Sequence, residues 1–295
     1  MTTSSWQQSI KLQNAIGGAA AYVLLVLFGL PFIVPLLFVI STALKSASQV
    51  YVNPPVWVPL PPQFSNFAQA WAVAPFGRFL VNSLITTFIP MIGDVFVSAI
   101  VAYSFARLRW PGRDLVFSLL LATMIMPGIV TFIPTFIVFA RLNWVNTFLP
   151  FIVPAYFGGA FYIFLLRQFM LNLPDGLEEA ARIDGANTAQ IFTRIVLPLL
   201  GPALATVAIF SFMARWNDFF GPMIYLHSPN LKTLMLGLAF FESMATGTGG
   251  SYGFLSARLH LLMAITTLIA LPCVLLFIVF QKYFVRDVIT SGFKL

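Results

Sequence analysis

The chain has 295 residues, 59% of them hydrophobic and 8% charged, with a formal net charge of +7. Soluble domains carry about 25% charged residues, so this chain has too few to cover a water-facing surface and a soluble fold is excluded. The positive balance, which in a soluble protein points toward nucleic acid, is assigned instead to loops that hold a membrane protein in place.

A helix needs about 20 apolar residues to cross the hydrocarbon core. Six stretches meet or approach this length, at residues 19–43, 79–102, 115–139, 148–166, 199–213 and 259–280. The first exceeds the roughly 7–15 residues of a signal-peptide core and is expected to stay as a span, despite the small residues at 46–48. Residues 44–78 gather Pro54, Pro55, Pro59, Pro61 and Pro62 among Trp57, Phe64 and Trp71, which predicts an ordered loop lying near the interface. Residues 220–258 hold Gly247, Gly249 and Gly250, where a flexible turn is expected. Cys273 is the single cysteine, so no internal disulfide forms. His227 and His260 lie far apart with no Cys or acidic cluster around them, so no metal site is expected.

Charge asymmetry orients the spans. With the N-terminus inside, the inner segments hold Lys11, Arg107, Arg109, Arg113, Arg167, Arg182, Arg194, Lys282, Arg286 and Lys294. The outer segments hold Lys45, Arg78, Arg141, Lys232 and Arg258, and Arg215, in or near the fifth stretch, is left uncounted. This bias places both termini in the cytoplasm. The predicted fold is all-α and polytopic, with six transmembrane helices, and no repeat, low-complexity tract or soluble domain is visible.

The segment joining the fourth and fifth stretches reads RQFMLNLPDGLEEAARIDGANTAQIFTRIVLPLL. A mere connection takes about 4–6 residues, and this one has its own helical grammar. Pro174 stops the incoming chain, Asp175 stands at an N-cap position, and Glu178 three residues later completes a capping-box-like pair. Glu178 and Glu179 fall in the first turn, where the helix dipole favours anions. Ala180 and Ala181 are small helix formers, and Gly185 breaks the helix with a positive φ. A second helix over about Thr188–Leu197 should end against Pro198. The smooth alanine surface suits the close approach of another protein. An amphipathic helix resting on lipid headgroups fits the same spacing, and spacing alone does not choose between them.

The pattern Glu179-Ala180-Ala181, then Gly185, Ile195, Leu197 and Pro198, resembles the EAA loop of permease subunits in binding-protein-dependent ABC importers. Four further stretches resemble the carbohydrate-uptake branch of that family. They are AYSFARLRWPGR (102–113), IFLLRQFM (163–170), WNDFFGPMIYLHSPNLKTLMLGL (216–238) and YFVRDVITSGFKL (283–295). Together they are most similar to the second permease of maltose-type systems. The resemblance implies a single transmembrane domain over 1–295, with a permease core at about 79–283 and the first helix and an extracytoplasmic loop in 1–78. It implies that the loop is a cytoplasmic coupling helix docking an ATPase through Glu179, Ala180, Ala181 and Gly185, with Glu178 and Asp184 beside them. It further implies a second homologous permease, two ATPase subunits that carry ATP and magnesium, an extracytoplasmic solute-binding protein, a sugar substrate and the bacterial inner membrane. No cofactor is implied on this chain, nor any nucleic acid partner.

No catalytic constellation is present, and no Walker loop, so ATP binding by that motif is not expected. An ionisable group within the membrane costs about 2.5–3.5 kcal/mol on insertion scales and suggests function by default. Asp94 is such a group, read either as a hydrogen-bonding point on a solute path or as a partner for a neighbouring helix or subunit. The family usually has small or apolar residues there. Trp216, Asn217 and Asp218 suit sugar recognition by stacking and hydrogen bonding, while a Trp near a membrane edge also serves as an interfacial anchor. Arg258 and His260 depart from the family's small apolar pattern and suit contact with a binding protein, an acidic solute group or headgroups. The rival functions are a stand-alone secondary transporter or membrane enzyme, and a subunit that recruits ATPases without a pathway of its own. Secondary transporters often show inverted repeats and buried coupling acids, whereas this chain shows no repeat and one deeply placed acid.

Overall fold

The computed structural model describes residues 3–246 and 252–292, with side chains described for 17–18, 21–243 and 258–280. The turn at Gly247, Gly249 and Gly250 lies outside the described residues, as do Lys294 and the side chains of Lys11, Lys282 and Arg286. The described residues form no strand. Their helices are α1 (Thr3–Ala43), α2 (Ser65–Ala72), α3 (Phe76–Arg107), α4 (Arg113–Ile125), α5 (Gly128–Arg141), α6 (Leu149–Ile152), α7 (Ala160–Leu171), α8 (Gly176–Ile183), α9 (Thr188–Ile191), α10 (Leu197–Leu199), α11 (Gly201–Trp216), α12 (Phe220–Tyr225), α13 (Leu234–Thr246) and α14 (Tyr252–Gly292). Among the described residues four helical segments are long and apolar enough to cross a membrane, and six are if each of two bent pairs counts as one span.

Two compact units are distinguishable, residues 1–74 with 241–269, and residues 75–240 with 270–295. In the first, α1 is apolar all round over 21–43 and its side chains from Tyr22 to Phe38 stand largely exposed, as a lipid-facing helix requires. The proline-rich segment after it is ordered by local bonds. Ser41 donates its hydroxyl to the Trp57 carbonyl at 2.6 Å, and the Gln63 amide donates to the Leu44 carbonyl at 2.9 Å. Asn66, buried on α2, donates from Nδ2 to the carbonyls of Ala43 and Lys45, both at 2.8 Å. It thereby satisfies acceptors that the end of α1 leaves open. Lys45 is enclosed beside it, with Nζ donating to the Thr42 hydroxyl at 3.3 Å and lying 4.9 Å from the Phe38 ring centre, and burial lowers its pKa. Replacing Asn66 with alanine strands two carbonyls, and we expect a loss of about 1–3 kcal/mol, read as a lower thermal midpoint in detergent.

The second unit is built on α3, which packs mainly against α7 and α11. Its contact face carries small residues, with Ser98, Ala99 and Ala102 fully buried against Ile163, Leu166 and Met170 of α7 and Ala203 and Val207 of α11. Without large side chains the backbones approach closely, which is how helices associate in lipid. Gly93 belongs to the same logic, since a Cβ there would stand 2.9 Å from the Tyr156 ring.

The spans differ from simple rods. The third expected stretch is α4 and α5, bent by 102° at Met126 and Pro127. Met126 precedes a proline, takes an extended conformation (ψ 120°), and so ends α4. The fourth is interrupted after a 3-10 turn at Val153–Phe157, where Gly158 takes φ +82°. The fifth is a bent pair, Thr188–Leu199 and Gly201–Trp216, at 75°. Pro198 does not end the helix before it. It sits in the first turn of α10, where its missing N–H costs nothing, and a π-helical turn at Phe192–Val196 absorbs the irregularity.

Candidate functional site

Two polar clusters stand out in the second unit. The first joins the end of α3 to α8. Asp175 was expected to cap α8 through its side chain, with Glu178 reciprocating. Instead Asp175 has helical backbone angles and makes no side-chain cap. Its carboxylate pairs with Arg107 Nη1. Glu178 is only 5% exposed, turned toward α3. Tyr103 donates its hydroxyl to Glu178 Oε2 at 3.2 Å, and Arg107 Nε lies 3.1 Å from Oε1, close but off the hydrogen-bond line, so that contact is a charge pairing. Arg107 also donates from Nη2 to the carbonyls of Met170 and Leu173, both at 2.6 Å. One guanidinium therefore bridges two carboxylates, with Arg182 Nη2 a second cation 3.7 Å from Glu178 Oε2, and it caps the C-terminal end of α7, where the helix dipole favours a cation. A reciprocal capping box does exist nearby, between Asn187 and Gln190, each side chain bonded to the other's amide at 2.9 Å.

Burial of Glu178 and Ala181, three residues apart, defines the inner face of α8. The opposite face presents Leu177, Glu179, Ala180, Arg182, Ile183, Asp184 and Gly185 to the exterior, Ile183 being 86% exposed. Gly185 takes φ +84° and turns the chain sharply toward α9. Of the expected docking residues, Glu179, Ala180, Asp184 and Gly185 are thus on the surface, and Glu178 and Ala181 are buried.

The second cluster lines a cavity of about 680 Å³. Asp94 lies within α3, and Oδ2 of its buried carboxylate accepts from three donors. These are Ser211 Oγ at 2.7 Å, Arg215 Nε at 2.9 Å and Arg215 Nη2 at 2.7 Å. Arg215 Nη1 donates to the Phe151 carbonyl at 3.2 Å. Asp218 borders the same space, its Oδ1 accepting from the Gly221 amide at 3.0 Å, and burial raises its pKa against the opposing pull of that amide and of Arg215. Phe132, Phe151, Tyr162 and Tyr225 supply aromatic walls. Asp94 and Asp218 therefore share one cavity. Trp216 is buried and stacked on Phe212 at 5.4 Å, and Asn217 donates to the Met213 carbonyl at 2.8 Å, and neither borders that space. Arg215 and Tyr162 were not anticipated. The signal for Arg215 was available, because a carboxylate placed mid-span needs a cation on a neighbouring helix. Nothing local in the sequence marks Tyr162. His260 is buried with Nδ1 unbonded, and Arg258 is half-buried.

Residues 94–290 match the family model described as binding-protein-dependent transport system inner membrane component. The chain is similar to the sn-glycerol-3-phosphate transport system permease protein UgpE of Yersinia enterocolitica, 32% identical over 276 residues, 92% of this chain and 95% of that protein. It is also similar to the diacetylchitobiose uptake system permease protein NgcG of Streptomyces coelicolor, 31% identical over 278 residues, 94% of this chain and 89% of that one. Among solved structures it resembles a chain of a bacterial ABC transporter involved in the import of the acidic polysaccharide alginate. The TM-score is 0.79 at 25% identity, covering 92% of this chain and 98% of that one.

Proposed function

This chain belongs to the family of binding-protein-dependent transport system inner membrane components, and from that premise we propose that it forms half of the translocation path of an ATP-driven importer for a sugar or sugar-like solute. It is a multi-pass inner-membrane transport subunit and not an enzyme. The names of its relatives, which concern glycerol phosphate, diacetylchitobiose and alginate, support the substrate class.

The whole chain acts as one transmembrane domain, with both termini on the cytoplasmic side in accord with its lysine and arginine bias. A second, homologous permease supplies the other half of the path. Two ATPase subunits bind ATP and magnesium, and an extracytoplasmic binding protein delivers the solute. Closure of the ATPases on ATP moves α8, and the path alternates its access between the two sides. The observation that carries the docking assignment is the division of α8. Its inner face is tied down by Glu178, while Glu179, Ala180, Ile183 and Asp184 stand outward. Glu179 offers a charge for a basic groove, the exposed Ala180 permits close approach, and Ile183 supplies an apolar knob.

Reversing the charge at Glu179 tests this. Glu179→Lys leaves the Arg107 cluster intact, so the chain should fold with an unchanged thermal midpoint. Co-purification of the ATPase should fall by about tenfold or more, equivalent to about 1.4 kcal/mol, and uptake should fall with it. Normal ATPase association and normal uptake by this variant overturn the docking assignment.

A further inference from the structure

The aromatic cavity has a charge arrangement that discriminates among solutes. Among the described residues its charged lining is Asp94, Arg215 and Asp218, with no further Lys, Arg, Asp or Glu. Asp94 and Arg215 cancel, leaving a net charge of −1 when Asp218 is ionised and zero when it is protonated. In neither state does the cavity hold the excess of positive charge that recognition of a phosphate or carboxylate requires.

The ion pair is nevertheless not spent. Oδ2 of Asp94 takes all three of the carboxylate's hydrogen bonds, and Oδ1 has none among the described residues. A guanidinium carries five N–H groups, and three of those on Arg215 are committed, to Asp94 and to the Phe151 carbonyl. The pair thus keeps acceptor and donor capacity side by side, without net charge, next to the Tyr162 and Phe151 rings. That combination matches a hydroxyl-bearing ring, which donates and accepts at adjacent positions and packs its C–H faces on aromatic surfaces. It does not match an anion, which only accepts.

Building on the importer reading above, we propose that this cavity is a contact site for an uncharged, polyhydroxylated solute, and that Asp94 sets its selectivity by neutralising Arg215. The inference separates this chain from its relatives named for glycerol phosphate and for an acidic polysaccharide. Asp94 faces the solute as an acceptor and also governs what Arg215 presents.

The test uses the importer assembly purified through this chain and placed in lipid nanodiscs without binding protein. Maltose serves as the uncharged probe and glycerol 3-phosphate as the anionic one, with affinities read from intrinsic fluorescence. The wild type should bind maltose in preference to glycerol 3-phosphate. Asp94→Asn, made together with Asp218→Asn so that Arg215 is the one charge left among these lining residues, unmasks Arg215, and affinity for glycerol 3-phosphate should rise about tenfold or more, because charge complementarity across a desolvated contact dominates specificity. Should that variant fail to assemble, the double variant Asp94→Asn with Arg215→Gln keeps a neutral hydrogen-bonding pair. It should retain maltose preference and gain no anion binding.

A wild type preferring glycerol 3-phosphate overturns the proposal, as does an unchanged preference in Asp94→Asn with Asp218→Asn or a gain of anion binding in Asp94→Asn with Arg215→Gln. Failure of either solute to bind an assembly that contains its ATPases and hydrolyses ATP also overturns it, while the importer reading stands. A chain that purifies without any ATPase subunit overturns the importer reading itself.

Discussion

Arg107→Leu is expected to be the most destabilising single change in the chain. It leaves buried Glu178 with only the half-exposed Arg182, Nη2 3.7 Å from Oε2, as its cation and frees the carbonyls of Met170 and Leu173. Removing one partner of a buried ion pair costs about 3–5 kcal/mol, and the two stranded acceptors add to that. The expected result is a large fall in thermal midpoint and loss of an assembled importer. The companion variant separates charge from shape. Arg107→Leu with Glu178→Leu removes both ions, so the penalty of a poorly paired buried carboxylate disappears, and much of the lost stability should return. A double variant as unstable as the single one contradicts the pairing as the source of the effect. Stability is measured by thermal unfolding in detergent and assembly by co-purification of the ATPase.

Gly185→Val should abolish uptake while leaving most of the membrane core intact. The residue sits at φ +84° with nothing within 4 Å of where a Cβ would stand. Space is therefore not the constraint; the left-handed backbone is. A β-branched residue pays the full steric cost of that region, whereas asparagine visits it readily. Gly185→Asn should accordingly retain most uptake, and Gly185→Val should lose nearly all of it by redirecting the chain between α8 and α9. Equal uptake by the two variants removes backbone conformation as the reason for glycine here. The measurement is solute uptake in cells, with membrane abundance checked by immunoblot.

Composition and apolar run length located the spans because both depend only on local chemistry. The Ala19–Ala43 and Leu259–Phe280 stretches lie inside α1 and α14. The bends were less legible. Prolines at 127, 198 and 202 were visible, but whether a membrane helix passes through a proline or breaks at it depends on neighbours that re-satisfy the backbone. Pro90 is accommodated within α3, while Met126 and Pro127 end one helix and start another. The exterior of α8 was readable from the Glu179 pattern and the helix-breaking Gly185. Its interior was not, since the partner of Glu178 is 71 residues earlier in sequence, at the end of a different helix. Local grammar assigned Asp175 to a cap; a guanidinium brought alongside by tertiary packing competed for it and won. The same holds at Asp94, where the sequence named the cost of a buried acid but not Arg215, 121 residues away.

The stretch of α3 from Asp94 to Arg107 contains neither proline nor glycine. At 1.5 Å per residue it spans about 20 Å as one uninterrupted helix. The cavity pair is anchored at one end of this rod and the α8 cluster at the other. A helix does not compress along its axis at the energies of side-chain contacts. Any displacement of α8 that carries Arg107 with it therefore shifts Asp94 by the same amount, and the two sites keep a fixed separation whatever the rest of the chain does.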